Sequence, residues 1–257
     1  MRVEYASRGL IGVLTPQANT TVEPEMTIMA PPGVAMINAR MVSPRAELEA
    51  RLVDYIDHLD AAIAQFANAP LDTIALATTG TSYIAGMARE AEIVAHASKA
   101  FGAPLVTTGQ AVVLALRTLG AKSIGLVSPY PPSLTEKASA YWGANGFAIG
   151  GLVQIGVKAG TFHPIYTISA ADAEAATLRL AEKPLDAIIL LGTGMPTLAS
   201  LVRHPRVGNA VVLSCMMCLG WAAIDRVLQR PPTREALLAF ARGEEWGARL
   251  RAHMRVG

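Results

Sequence analysis

Ile11-Gly-Val-Leu-Thr-Pro16 returns 113 residues later as Ile124-Gly-Leu-Val-Ser-Pro129, and Leu71-Asp-Thr-Ile-Ala-Leu-Ala-Thr-Thr-Gly80 returns 114 residues later as Leu185-Asp-Ala-Ile-Ile-Leu-Leu-Gly-Thr-Gly194. Two matches at nearly one offset mark the chain as two copies of one unit, the second beginning near residue 121. Each copy opens on a short apolar run, as a strand buried on both faces requires, and closes it with Thr-Pro or Ser-Pro. Second runs follow at residues 33–41 and 147–157. The repeated Leu-Asp segments are third runs, and residues 104–108 and 210–215 are fourth ones. Between them, residues 44–68 carry Leu48, Leu52, Ile56 and Leu59 at helical spacing, with residues 170–181 as the counterpart. This alternation predicts two α/β lobes, residues 1–120 and 121–230, each a parallel four-stranded sheet flanked by helices. A helical extension follows over residues 231–257.

Composition narrows the function. The 257 residues are 52% hydrophobic and 16% charged, which excludes a disordered or collagen-like chain. Lysine and arginine number 22 against 20 acidic residues, with no long run of one sign, so nucleic acid and membrane surfaces are excluded as partners. The longest apolar stretch, residues 211–224, is interrupted by Ser214 and Gly220 and falls short of the roughly 18 residues a membrane span needs. Two cysteines give no disulfide framework, and residues 10–14 are too short for a signal-peptide core, so the expected location is the cytoplasm. Gly192-Thr-Gly194 runs into Met-Pro without the third glycine of a dinucleotide site. The five histidines form no cluster with metal-ligand spacing, and neither metal nor cofactor is expected.

Ligands of parallel sheets collect at the carboxyl ends of the strands, where turns present N–H groups at helix N-termini. Those turns are residues 17–21, 78–82, 128–130, 192–194 and Ser214-Cys215. Pairing the two copies face to face places four of them around one cleft. Hydroxyls, amides and backbone N–H groups, with no lysine or arginine among them, suit a small, anionic, oxygen-rich ligand. The candidate binding residues are Gln17, Asn19, Thr79, Gly80, Ser128, Gly192, Thr193 and Gly194.

The run Pro16-Gln-Ala-Asn-Thr-Thr-Val-Glu23 resembles the Pro-x-x-Asn-Thr-Thr-x-Glu signature of maleate cis-trans isomerases. These belong, with arylmalonate decarboxylases, to the aspartate/glutamate racemase superfamily. The likeness runs from about Gly9 to Arg226, through Tyr130 and the two Gly/Thr loops. It implies two pseudo-symmetric flavodoxin-like lobes with the ligand cleft between them. It also implies cofactor-independent chemistry on a small mono- or dicarboxylate, through an enolate-type intermediate held in an anion hole. The family works with one or two cysteines, one per lobe, and these positions fall here on Thr78 and Gly192, which are also each other's partners in the repeat. A threonine hydroxyl ionises well above a thiol, and glycine supplies no proton. Isomerisation is the leading expectation. The alternatives are decarboxylation, hydrolysis or hydration by a water in the same cleft, and a catalytically silent carboxylate-binding protein.

Four residues are candidates for the chemistry. Tyr130 offers a phenol that can stabilise an oxyanion or deliver a proton. Thr78 stands in a thiol's place, and His163 lies in the loop of residues 158–166. Cys215 is expected at a helix N-terminus, which lowers a thiol pKa. Its motif, Cys215-Met-Met-Cys218, lacks the second pair of a zinc site, and the plain reading is two core thiols. Asn19 either orients a carboxylate or caps a helix, with Glu23 spaced for a capping box on Thr20. Ser82 reads as the cap of the next helix. The amphipathic segment 231–257, outside the repeat, is expected to pack on a neighbouring subunit of a homo-oligomer.

Overall fold

The computed structural model describes residues 3–156 and 164–254. Its first sheet contains β1 (Gly9–Pro16), β2 (Val34–Met41), β3 (Thr73–Leu76) and β4 (Leu105–Thr107), all parallel, in the order β2-β1-β3-β4. The second contains β5 (Ser123–Ser128), β6 (Ala148–Gln154), β7 (Ala187–Leu190), β8 (Arg206–Val207) and β9 (Ala210–Ser214), in the order β6-β5-β7-β9-β8. The duplication extends to register. Ile11 lies opposite Thr73 as Ile124 lies opposite Ala187. β1, β3, β7 and β9 are buried at every residue, which is why they read as unbroken apolar runs.

One expectation is corrected. The second sheet has a fifth strand, because β8 pairs antiparallel with the edge of β9. Two residues joined to β9 by Gly208-Asn209, with Gly208 at φ +57°, are too short to carry a periodic signal.

The helices are α1 (Val22–Met29), α2 (Leu48–Asp57), α3 (Leu59–Ala64), α4 (Thr79–Phe101), α5 (Thr108–Leu119), α6 (Pro132–Ala144), α7 (Ala170–Leu178), α8 (Leu198–Arg203), α9 (Cys215–Val227), α10 (Arg234–Ala241) and α11 (Gly247–Met254). The single helical pattern of residues 44–68 divides into α2 and α3 at His58, whose backbone leaves the helical region at φ −109°, ψ 19°. The equivalent helices α5 and α9 pack against each other, and α4 packs on α6. A buried carboxylate reinforces the second contact. Glu90 of α4 accepts hydrogen bonds from Ser82 Oγ, Thr107 Oγ1 and, across from α6, Tyr141 Oη, each at 2.6 Å. Ser82 is therefore not a cap: the chain enters α4 at Thr79, and the serine hydroxyl is spent on Glu90.

The C-terminal extension packs on the chain's own body. α10 packs on α5 and α9, and α11 on α1 and α8. Trp246 is fully buried and donates through Nε1 to Phe240 O at 2.8 Å. Arg249 donates to Ile28 O at 2.6 Å and Met29 O at 2.8 Å, satisfying carbonyls at the C-terminal end of α1. The apolar face that the sequence shows is spent on the chain's own body. Among the described residues no helix is long and apolar enough to cross a membrane, and no group of three or more His, Cys, Asp or Glu is placed to hold a metal ion.

Candidate active site

A cavity lies where the carboxyl ends of the two sheets meet. Four of the five strand-end turns contribute to its wall. They bring Pro16 and Asn19 from the first, Thr78 from the second, Tyr130 from the third and Gly192, Thr193 and Gly194 from the fourth.

The fourth turn is built by the first half of the molecule. Asn19 Nδ2 donates to Thr193 O at 3.2 Å and Thr21 Oγ1 to Gly194 O at 2.8 Å, while Thr193 Oγ1 donates to Ala77 O at 2.7 Å. These bonds fix the carbonyls of the turn. Among the described residues the amides of Thr193 and Gly194 donate to no protein oxygen. Asn19 also accepts through Oδ1 from Thr21 N at 2.8 Å and Val22 N at 3.1 Å. It thus tethers the start of α1 and braces the opposite loop with one side chain. The capping box on Thr20 does not form, because α1 begins at Val22, and Glu23 pairs with Arg40 at 2.5 Å.

The second turn leads directly into α4. Its N-cap, Thr78, has the extended backbone of a cap (φ −148°, ψ 120°), yet its own side chain accepts no hydrogen bond from the first turn. α5, α7, α9 and α10 are by contrast capped by Thr107, Ser169, Ser214 and Thr233. A buried helix start with unmet N–H groups presents the positive end of its dipole, which favours negative charge. Gly80 sits in this turn, packed beneath Leu52.

Tyr130 stands opposite. Ser128 Oγ accepts from its N–H at 3.3 Å and pairs with Thr135 Oγ1 at 2.7 Å, and Gln154 Nε2 donates to its carbonyl at 2.6 Å. Its ring lies edge-on to Tyr83, centroids 6.1 Å apart. Ser128 is thus fully buried behind the turn, supporting Tyr130 and away from the cavity wall. Gly192 has φ +87°, a conformation glycine adopts without strain, and a Cβ there would lie 3.0 Å from Tyr130 Oη. The phenol occupies the space a side chain at 192 would take. Burial pushes the phenol's pKa well above its ordinary value, so it remains protonated at neutral pH.

Cys215 begins α9 with its thiol near the Thr79 hydroxyl, the Gly192 N–H and the Tyr83 hydroxyl. The expected lowering of its pKa is overturned. Desolvation outweighs these donors and pushes the thiol up to about 11. Thr79 Oγ1 and Tyr83 Oη are close enough to favour the thiolate, yet neither meets a partner at full hydrogen-bond geometry. Cys218 is also fully buried, its pKa raised by desolvation, and neither cysteine lines the cavity. Gln17 is drawn away: its Oε1 accepts from Ser43 N at 2.6 Å and fastens the chain after β2. His163 lies outside the described residues.

Other lining residues were not legible at strand ends. Leu48, Arg51, Leu52 and Tyr55 come from α2, and Ile165 and Tyr166 from the short helical turn Pro164–Thr167. Burial pushes Tyr166 up to about 12, against the pull of Arg51 and Arg40.

Two duplicated α/β halves with their strand-end loops closed on one cavity define the class of molecule. The arylmalonate decarboxylase family model matches residues 11–238, and the chain belongs to that family. Among solved structures, it is similar to the maleate cis-trans isomerase of Nocardia farcinica bound to TRIS (26% identity, 90% of this chain, 97% of that one, TM-score 0.75). The maleate isomerase Iso of Pseudomonas putida S16 also matches (19%, 91%, 99%, TM-score 0.77), as does an arylmalonate decarboxylase (20%, 89%, 96%, TM-score 0.71). No curated protein matches.

Proposed function

We propose that the chain is a cofactor-independent enzyme that forms an enolate-type intermediate on a small carboxylate, and that its reaction is decarboxylation of a malonate-type acid. The substrate's retained carboxylate lies between the first-turn amides of α4 and those of Thr193 and Gly194. Donors already fixed there stabilise the charge that develops as the enediolate forms. Tyr130 is the acid. The bond to the departing carboxylate breaks, CO2 leaves, and the bonding pair stays on the α-carbon, delocalised into the retained carboxylate. Tyr130 Oη–H then protonates that carbon, and solvent returns a proton to the phenolate. Thr78 and Gly192 take the places of the family's thiols, and Asn19 holds the loop in shape.

The observation that carries this reading is the 3.0 Å between Tyr130 Oη and the Cβ position of residue 192. An acid group stands at the protonation site although residue 192 has no side chain. Isomerisation through a thiol adduct has less support. A mutant of the Nocardia isomerase carries a covalently bound succinylcysteine intermediate, whereas both cysteines here are buried and neither lines the cavity. Incubation in D2O with phenylmalonate, methylmalonate and maleate, followed by NMR, tests the proposal. A malonate should lose CO2 and gain one deuterium at the α-carbon, and Tyr130→Phe should lower kcat by about 100-fold or more with little change in KM. Maleate converted to fumarate, with the malonates untouched, would overturn it.

A further inference from the structure

We infer that Arg51 is a specificity-determining residue that binds an anionic group on the substrate's substituent, separate from the carboxylates that take part in the reaction. The inference rests on the cavity being the substrate site, as proposed above.

Leu48, Arg51, Leu52 and Tyr55 follow one another at helical spacing and all line the cavity, so α2 lays a single stripe along it. Three members of the stripe are apolar or aromatic. The fourth is a half-buried guanidinium. Among the described residues no carboxylate lies within ion-pair distance of Arg51, and it donates no hydrogen bond to the protein. The acids beside it on the helix are engaged elsewhere. Glu49 accepts from Ser133 Oγ at 2.6 Å and pairs with Lys137, and Asp54 accepts from Ser43 Oγ at 2.6 Å with Arg45 beside it. The phenols of Tyr55, one turn along the same helix, and of Tyr166, from the turn Pro164–Thr167, feel the charge of Arg51.

A guanidinium that lines a cavity beside Leu48 and Leu52 without an anion forgoes its strongest interaction, and an incoming carboxylate would accept its paired donors in fork geometry. That anion cannot be the carboxylate that departs. An ion pair stabilising its charged ground state would raise the barrier to losing CO2. Nor is it the retained carboxylate, which the strand-end amides hold. The remaining place is the α-substituent, and the substrate is a malonate whose substituent ends in an anion.

The test compares (carboxymethyl)malonate with propylmalonate, a neutral counterpart of similar length, in wild type, Arg51→Gln and Arg51→Lys. Wild type should turn over the tricarboxylate with a KM at least about tenfold lower than that for propylmalonate. Arg51→Gln should raise KM for the tricarboxylate by about the same factor and far more than it raises KM for propylmalonate. Arg51→Lys should restore part of the loss. Equal effects on both substrates, or a wild-type preference for propylmalonate, would overturn the inference. Calorimetric binding separates it from the proposed reaction: tricarboxylate binding that needs Arg51, without turnover, upholds the inference while the reaction fails.

Discussion

The starts of α4 and α8 each follow the third strand of their half, and they treat the same electrostatic problem differently. In the second half, Glu25 of α1 accepts from Thr197 N at 2.6 Å, Leu198 N at 3.1 Å and Thr197 Oγ1 at 3.3 Å, so the protein's own carboxylate fills the start of α8. In the first half, no side chain among the described residues accepts from the start of α4, and Thr78 there lines the cavity. Unmet amides at a helix start call for negative charge in both places. The filled start is a joint between the halves, and the open one is where the proposed reaction places the substrate's retained carboxylate.

Filling the open start should break this contrast with the largest effect. Thr78→Asp puts a carboxylate at an N-cap position whose backbone already has cap geometry, so the protein's own anion competes with the substrate. Turnover of a malonate should fall about a thousandfold, while thermal unfolding shifts upward by the equivalent of about 1 kcal/mol. Stability lost together with activity would show that the start of α4 is not the anion site.

Removing the charge from the filled start sharpens the contrast from the other side. Desolvation raises the pKa of Glu25 to about 7 despite three hydrogen bonds that favour the carboxylate. Below pH 4.5 both folded and unfolded chains are protonated at this residue, and its full contribution is present. Between about 4.5 and 7 the unfolded chain releases the proton while the folded one keeps it, so stability falls as pH rises and levels off above 7. Urea unfolding of wild type and Glu25→Gln across this range should give curves that diverge by on the order of 3 kcal/mol. Parallel curves would mean that the residue is ionised throughout.

The smallest effect belongs to the brace between the halves. Thr21→Val removes the bond to Gly194 O and frees the loop without touching the cavity wall. Stability should fall by about 1 kcal/mol, with malonate KM rising severalfold and the Tyr130-dependent step unchanged.

The duplication, the strands and the turns of the cavity were legible because they are local. Ile11 and Ile124 lie in matching strands, and strands buried on both faces declare themselves as apolar runs. Legibility ended where side chains act over distance. Arg51 belongs to a stripe in which Leu48 and Leu52 read as ordinary core positions, and no local pattern distinguishes a helix face turned to a cavity from one turned to a core. Cys215 was correctly placed at a helix start, but the sign of its pKa shift depends on burial supplied by the whole molecule. Gln17 failed for a related reason. Its amide is spent on Ser43, 26 residues away, a partner that turn composition does not reveal.

The most direct test is a malonate titration of the ¹⁵N-labelled protein, followed through its amide resonances. The account predicts that the amide protons of Thr79, Gly80, Thr193 and Gly194 move downfield together, saturate with a single Kd, and stay in place in Thr78→Asp. Shifts that gather away from these four amides, or that persist in Thr78→Asp, would contradict it.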